Sequence, residues 1–447
     1  MGENPAPHHV VERLTWEKKL GCFSNGNGRI IAHGGDKMKI QGNALARNVT
    51  LAIVTFSMIC AIGVHAQTYK VLHTFDYTDG SQPITPLVFD PQGNLYGTTF
   101  SGGLSGRGTV FKLSPNGDGT WTESVLHNFD SNGDDPEAPV VLDGQGNIYG
   151  ETPGAGVGGS YGTVFELSPN SDGTWTEHII HAFTNGRDGA GPNGGVVLAN
   201  GNKMYGVAEG GATHLGLVFS LDHISATNWH ELVLHPFTGG ADGEYPGGPL
   251  TLDSSGDLYG VTGGGSFGNG TVFKLTPNPG SSGWTKSLLY TFNRPDGTPN
   301  GGLIFDAAGN IYGTCHEDGT YGWGTVYKLT QNPDGSWTET ALHEFQGYHN
   351  GDGQYPNPAL VMDAHGNLYG TTAEGGSGCD PLGCGTIFKL TPLPDGQWLE
   401  TILHEFTDGN DGGEPLAGLI SDRAGNLYGV AYTGGANDSG VVFELTP

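Results

Sequence analysis

One stretch of this sequence holds more reactive side chains than its neighbours. Cys315-His316-Glu317-Asp318 sits in a glycine-rich segment, Trp323 follows, and Tyr348, His349 and Asp352 come a short way on. Two imidazoles beside carboxylates can supply a general acid and base or ligate a divalent cation. His316, Glu317 and His349 are therefore the candidate catalytic set, and Asp318 and Asp352 the candidate metal ligands. A second group is made of amides and carboxylates. Glu137, Asn193, Asn300 and Asn357 each follow a proline, and Glu209, His214 and Glu374 lie in glycine-rich segments. With Trp323 and Tyr348 they form the candidate ligand-binding set, since amides suit neutral, hydroxyl-rich ligands. Asp188, Asp242, Asp296, Asp352 and Asp411 recur before glycine. They make Ca²⁺ a candidate, although none fits the twelve-residue calcium loop with its terminal glutamate. No other cofactor is indicated: phosphate-binding loops, nucleophile elbows, His-Glu-x-x-His and dinucleotide fingerprints are all missing.

The elements that must position these residues are legible from composition and repetition. The 447 residues include 80 Gly and 26 Pro, a share that borders on low complexity. Aromatic residues at 10% and hydrophobic residues at 36% are too many for a chain that cannot bury a core. Glycine without a three-residue period excludes collagen, and 14% charged residues exclude long coiled coils. An all-β protein with many tight turns remains.

Self-similarity at a fixed period is strong. Leu95-Tyr96-Gly97 returns with its tyrosine at 149, 205, 259, 312, 369 and 428, at intervals of 53 to 59 residues. Gly-Thr-Val-Phe strings follow, from Val110-Phe111 to Val442-Phe443. A Trp-Thr-Glu-x-x-Leu-His-x-Phe type string begins at Trp121, Trp175, Trp229, Trp284, Trp337 and Trp398. Its seventh copy stands at the other end, as Tyr69-Lys70-Val71-Leu72-His73-Thr74-Phe75. In the first unit, turn residues separate four β-type runs, Pro86–Asp90, Leu95–Thr99, Thr109–Leu113 and Trp121–Phe129. Four strands per unit is the blade of a β-propeller. The displaced seventh string is then the fourth strand of the last blade, closing the ring and removing its open edges. The expectation is a seven-bladed propeller over residues 67–447.

A residue repeated in every unit serves the blade rather than a unique site. His73, His127, His181, His235, His343 and His404, with Tyr290 in the seventh place, are read as structural. So are Asp90, Asp143, Asp253, Asp306, Asp363 and Asp422 before Gly-Asn or Gly-Asp turns, and the tryptophans, which should pack between blades. If the first strands line the channel, the loops between blades share one face with the loops joining second to third strands. The candidates above fall on that face, with Glu137, Asn193, Asn300 and Asn357 ringing the channel mouth.

Residues 49–64 form an apolar run preceded by Lys37, Lys39 and Arg47 and ending in Val64-His65-Ala66. This is the pattern of a secretory signal peptide over 38–66, cleaved near Ala66, with 1–37 an upstream extension. The run is too short for a membrane span. The whole chain has a net charge of −28; residues 1–66 hold seven Lys/Arg and four Asp/Glu, leaving 11 basic and 42 acidic residues, a net of −31. Such a surface repels phosphate backbones, so nucleic acid is not an expected partner. In an oxidising exterior Cys379 and Cys384 form a local disulfide, leaving Cys315 free.

The repeated strings closely resemble the GloVer tandem repeat of secreted "choice-of-anchor" bacterial proteins, over residues 69–447. The resemblance implies a secreted protein, often surface-anchored by a C-terminal sorting segment; the end Glu444-Leu445-Thr446-Pro447 carries no hydrophobic tail. It brings no catalytic residues. Two function classes stay open. One is a secreted, monomeric, non-catalytic propeller binding a glycan, peptide or protein partner. The other is a secreted glycan lyase or hydrolase with its site in the unit-five loops.

Overall fold

A computed structural model describes residues 67–447 except 131–134, 156–158, 200–202, 226–227, 267, 294–295, 349–350 and 380. The expected extension and signal peptide (1–66) and His349 lie outside the described residues. The chain forms seven antiparallel sheets of four or five strands, a seven-bladed β-propeller. Blade 1 uses Val88–Phe89, Leu95–Thr99, Thr109–Pro115 and Trp121–Asn128 in that order across the sheet. Blades 2 to 6 repeat the pattern. Blade 7 takes Ile420–Ser421, Leu427–Ala431 and Val441–Thr446 from the end of the chain and Thr68–Thr74 from its beginning. Tyr69 pairs with Leu445 and Val71 with Phe443, so the first strand is the outer edge of the last blade.

Two differences from the sequence reading concern the innermost strand. In blade 1 it shortens to Val88–Phe89, since only that pair meets the second strand. In blades 3 and 6 a further strand, Ala190–Pro192 and Gly353–Pro356, joins the sheet from the crossing loop. There the second strands run on to Glu209 and Gly375 and offer the loop a ladder.

The Tyr-Gly and Val-Phe strings are explained by one cross-strand pair. Gly97 lies opposite Phe111, and a Cβ on Gly97 would come within 2.7 Å of the Phe111 ring. The aromatic ring lies across the strand where a side chain is missing, as it does in every blade through to Gly429 and Phe443. A bulge at the same position of each outer strand, as at Leu126 opposite Val110 and Phe111, strengthens its twist.

The core lies between blades. The cluster of Tyr96, Val110 and Phe129 from blade 1 with Val140, Ile148, Phe165 and Leu167 from blade 2 is one of seven, and one joins blade 7 to blade 1. The Phe that ends each outer strand packs edge-on against the third-strand aromatic of the next blade. The centroids are 5.1 Å apart for Phe75–Phe111 and 5.3 Å for Phe129–Phe165. Tryptophans meet the tyrosine of the preceding blade, as Trp121 meets Tyr428 at 6.3 Å and Trp229 meets Tyr149 at 6.2 Å.

The repeated histidines belong to polar sets at these interfaces. His343 Nε2 stands 3.3 Å from Asp352 of the crossing loop and 3.5 Å from Glu400 of the next blade's outer strand. His73 meets Asp79 at 2.9 Å and His181 meets Asp188 at 3.7 Å. The glutamate position is Lys286 in blade 4, bonded to Asp242, and Tyr69 in blade 7, stacked on His404 at 3.9 Å. Burial pushes Glu231 up to about 7, helped by Asp188. A carboxyl raised in the folded state stabilises the fold fully below its unfolded pKa and loses that contribution as pH rises through about 7. Glu231→Gln, which keeps the neutral shape, is expected to melt with wild type at pH 4.5 and above it at pH 8. Calorimetry at the two pH values checks this; an equal difference at both would contradict it.

Candidate binding site at the mouth of the central channel

The crossing loops carry a proline each: Pro83, Pro136, Pro192, Pro246, Pro299, Pro356 and Pro415. The proline rests on the glycine of the preceding Gly-Thr-Val-Phe type string. Gly324 has φ +94°, and a Cβ there would meet Pro356 Cδ at 2.4 Å. The residue before the proline is left-handed in six loops, including Tyr355 at φ 59° and Glu414 at φ 50°. For a non-glycine residue that conformation costs about 1–2 kcal/mol.

Residues that follow the prolines converge. Ile84, Glu137, Asn193, Asn300, Asn357 and Leu416 line one cavity of about 300 Å³ to which all seven blades contribute, so the first strands surround the axis and this is the channel mouth. His316, from the unit-five loop, lines it too. One side is apolar, made of Ile84, Pro86, Leu416 and Ala417; the other carries the amides, Glu137 and His316.

The polar side is partly committed. Asn193 Nδ2 donates to Glu209 Oε1 at 3.3 Å, and its Oδ1 is buried with no partner. Asn300 Nδ2 donates to the Pro356 carbonyl at 3.3 Å. Asn357 is buried, donating to Thr371 Oγ1 at 3.1 Å and to the Pro415 carbonyl. His316 lies against Tyr355 with centroids 5.0 Å apart, and Trp323 backs Tyr355 edge-on at 5.6 Å. Burial lowers the His316 pKa against the pull of Glu317, which keeps the ring neutral, and its Nδ1 is buried without a partner. Gln354 donates to Glu374 at 2.5 Å. Partial burial raises Glu137, with Asp135 and Glu209 adding to it, and raises Glu414, with Asp408 and Glu374 adding.

The structure thus gathers Glu137, Asn193, Asn300, Asn357 and His316 at the mouth, with Glu209 attached through Asn193 and Trp323 through Tyr355; Glu374, bonded to Gln354, does not line it. Glu317 is exposed and is not among the lining residues. His214, left-handed at φ 59°, and Tyr348, which closes a turn by accepting from Gly351 N at 3.0 Å, do not line the cavity. Sequence reasoning passed over Tyr355, which lies against His316; the proline after it was the available signal. It also passed over Glu151. That fully buried carboxyl lies behind the mouth, accepts from Gly195 N at 2.8 Å and is pushed up to about 8 by burial.

Asp318 accepts from Asn269 at 3.4 Å and bridges to Trp323. Asp352 belongs to the His343–Asp352–Glu400 set, whose ligand atoms lie within 4.8 Å of one another, the one such trio among the described residues. It sits between blades, away from the lining of the mouth. Asp352 also accepts from the backbone N–H groups of Gln346 and Gly353. In blade 4 the Lys286 ammonium stands at the glutamate position and bonds Asp242. Cys379 and Cys384 are joined, with Cα atoms 5.5 Å apart, and Cys315 is buried and free. No helix among the described residues is long and apolar enough to cross a membrane.

Fold and site together define a β-propeller with an asymmetric channel mouth. The chain belongs to the Gloeobacter/Verrucomicrobia repeat family, whose model matches residues 55–266, 159–332 and 255–447. Among curated proteins none matches. Of the solved structures, hydrazine synthase of Kuenenia stuttgartiensis is similar over 83% of this chain and 98% of its own, at 13% identity and a TM-score of 0.52. PorZ, a surface component of the type-IX secretion system of Porphyromonas gingivalis, is similar over 80% of this chain at 16% identity and a TM-score of 0.46. The chain spans 46% of PorZ. NanB sialidase of Streptococcus pneumoniae is similar over 84% of this chain and 70% of its own, at 12% identity and a TM-score of 0.42. At these identities the likeness concerns the fold alone.

Proposed function

We propose that the protein is a secreted, non-catalytic propeller that binds a neutral glycan in the channel mouth. The observation that carries this reading is the cavity of about 300 Å³ whose lining breaks the sevenfold repeat. A pyranose ring offers an apolar C–H face and a hydroxyl edge. The Ile84–Leu416 side suits the first, and the amides of Asn193 and Asn300 suit the second. A net charge of −28 disfavours phosphate-rich ligands. The signal-like segment and the Cys379–Cys384 bridge support an exterior location.

A second reading, a glycan lyase or hydrolase, draws on His316. A neutral imidazole with an unpartnered Nδ1 at the mouth can accept a proton. A glycan array probed with and without EDTA, followed by mass analysis of each bound glycan, separates the two. Binding with the glycan intact is the expected result. Cleavage that disappears in His316→Ala would replace the first reading with the second, and absence of any binding would end both.

A further inference from the structure

We infer that the seam between blades 6 and 7 holds a binding slot for a planar aromatic ring of indole size. Six of the seven inter-blade clusters include a tryptophan from an outer strand: Trp121, Trp175, Trp229, Trp284, Trp337 and Trp398. Among the described residues the blade 6–blade 7 cluster has none.

The register shows why. In blade 1 the outer-strand tryptophan pairs with the proline that ends the third strand, Trp121 with Pro115, and in blade 2 Trp175 pairs with Pro169. In blade 7 Thr68 pairs with Thr446 and Tyr69 with Leu445. The next pair along would set Gln67 against Pro447, so an exposed glutamine stands at the tryptophan position. Closing the ring with a strand from the far end of the chain has left one indole out.

Among the described residues the space it would fill is open. A cavity of about 670 Å³ lies at this seam, lined by Tyr369, Asp363, Asp422, Arg423 and Pro447 among others. The corresponding cavity between blades 1 and 2 has Tyr96, Asp90, Asp143 and Pro169 in the same places, is walled by Trp175, and measures about 470 Å³. Tyr369 keeps the polar fixing of its counterparts, its hydroxyl bonded to Asp363 Oδ2 at 3.2 Å, with Lys389 Nζ 5.5 Å from the ring centre. The seam therefore retains the wall against which an indole packs elsewhere. Arg423 stands where blade 2 has Gly144 and adds a cation suited to an aromatic face. This slot is independent of the mouth, on the side of the ring formed by the turns between first and second strands.

The probe is N-acetyl-L-tryptophanamide, titrated into the full chain and followed by the amide resonances of residues 363–369 and 422–427. Saturable shifts confined to that seam are expected. Gln67→Trp supplies the indole in cis; it is expected to raise the melting temperature by roughly 2–4 °C and to abolish the shifts. Absence of saturable shifts with the wild-type chain overturns the inference. So does Gln67→Trp that leaves both the melting temperature and the titration unchanged. Tyr369→Phe, which keeps the ring, should retain binding; its loss there would place the probe on the polar turn instead.

Discussion

Removing residues 67–75 is expected to abolish cooperative folding of the ring. The segment supplies the outer strand of blade 7, and its departure exposes Val441–Thr446, whose Val441, Val442, Phe443 and Leu445 are fully buried. An apolar edge of that length pairs with other chains. Phe75, fully buried against Phe111, goes with it. Loss of one such ring costs about 3–5 kcal/mol, against a total of about 5–15 kcal/mol for a globular domain. Tyr69 also leaves, and with it the stacking on His404 that seals blades 6 and 7. Size-exclusion chromatography should show aggregates, and calorimetry a broad or missing transition. A synthetic peptide of residues 67–78 added in trans should restore part of the transition. A monomeric truncated chain melting within a few degrees of wild type would mean that the ring does not depend on this closure.

Phe273→Ala should have the next largest effect, a loss of about 3–5 kcal/mol by denaturant unfolding. The ring is fully buried, covers Gly260 within blade 4 and receives Phe237 from blade 3 at 5.2 Å. The alanine removes contacts within the blade and between blades together. Gly260→Val should be comparably damaging from the other side, because its Cβ would stand 2.6 Å from the Phe273 ring and 2.8 Å from Leu250. The two effects are coupled through one space. Combining them should cost less than their sum by 1 kcal/mol or more, and strict additivity would show that the glycine serves some other purpose.

The strands, their order and the displaced closing strand were legible because they repeat with local signals: alternating residues, turn residues and a fixed period. The Gly–Phe pair sat in the sequence as two conserved-looking strings within one chain, and only the register joined them. The polar sets were not legible. His343, Asp352 and Glu400 come from three segments joined across a blade boundary, and no local pattern announces that approach. The partners of the recurrent aspartates were equally hidden: Asp188 and Asp411 accept from Thr184 and Thr407 of their own loops. The mouth was half legible. The proline marks which residue turns inward, so Glu137, Asn193, Asn300 and Asn357 could be named. The contribution of Tyr355 depends on its left-handed backbone, which sequence does not display.

The most direct test of the mouth as a binding site is calorimetric titration of the best array glycan into wild type and the double variant Asn193→Ala/Asn300→Ala. Gln145→Ala, in an exposed turn between first and second strands, serves as control. Each amide contributes one or two hydrogen bonds worth about 0.5–1.5 kcal/mol apiece. Roughly tenfold or greater weakening is expected for the double variant, with the control unchanged. A double variant that binds as tightly as wild type would place the ligand elsewhere on the ring.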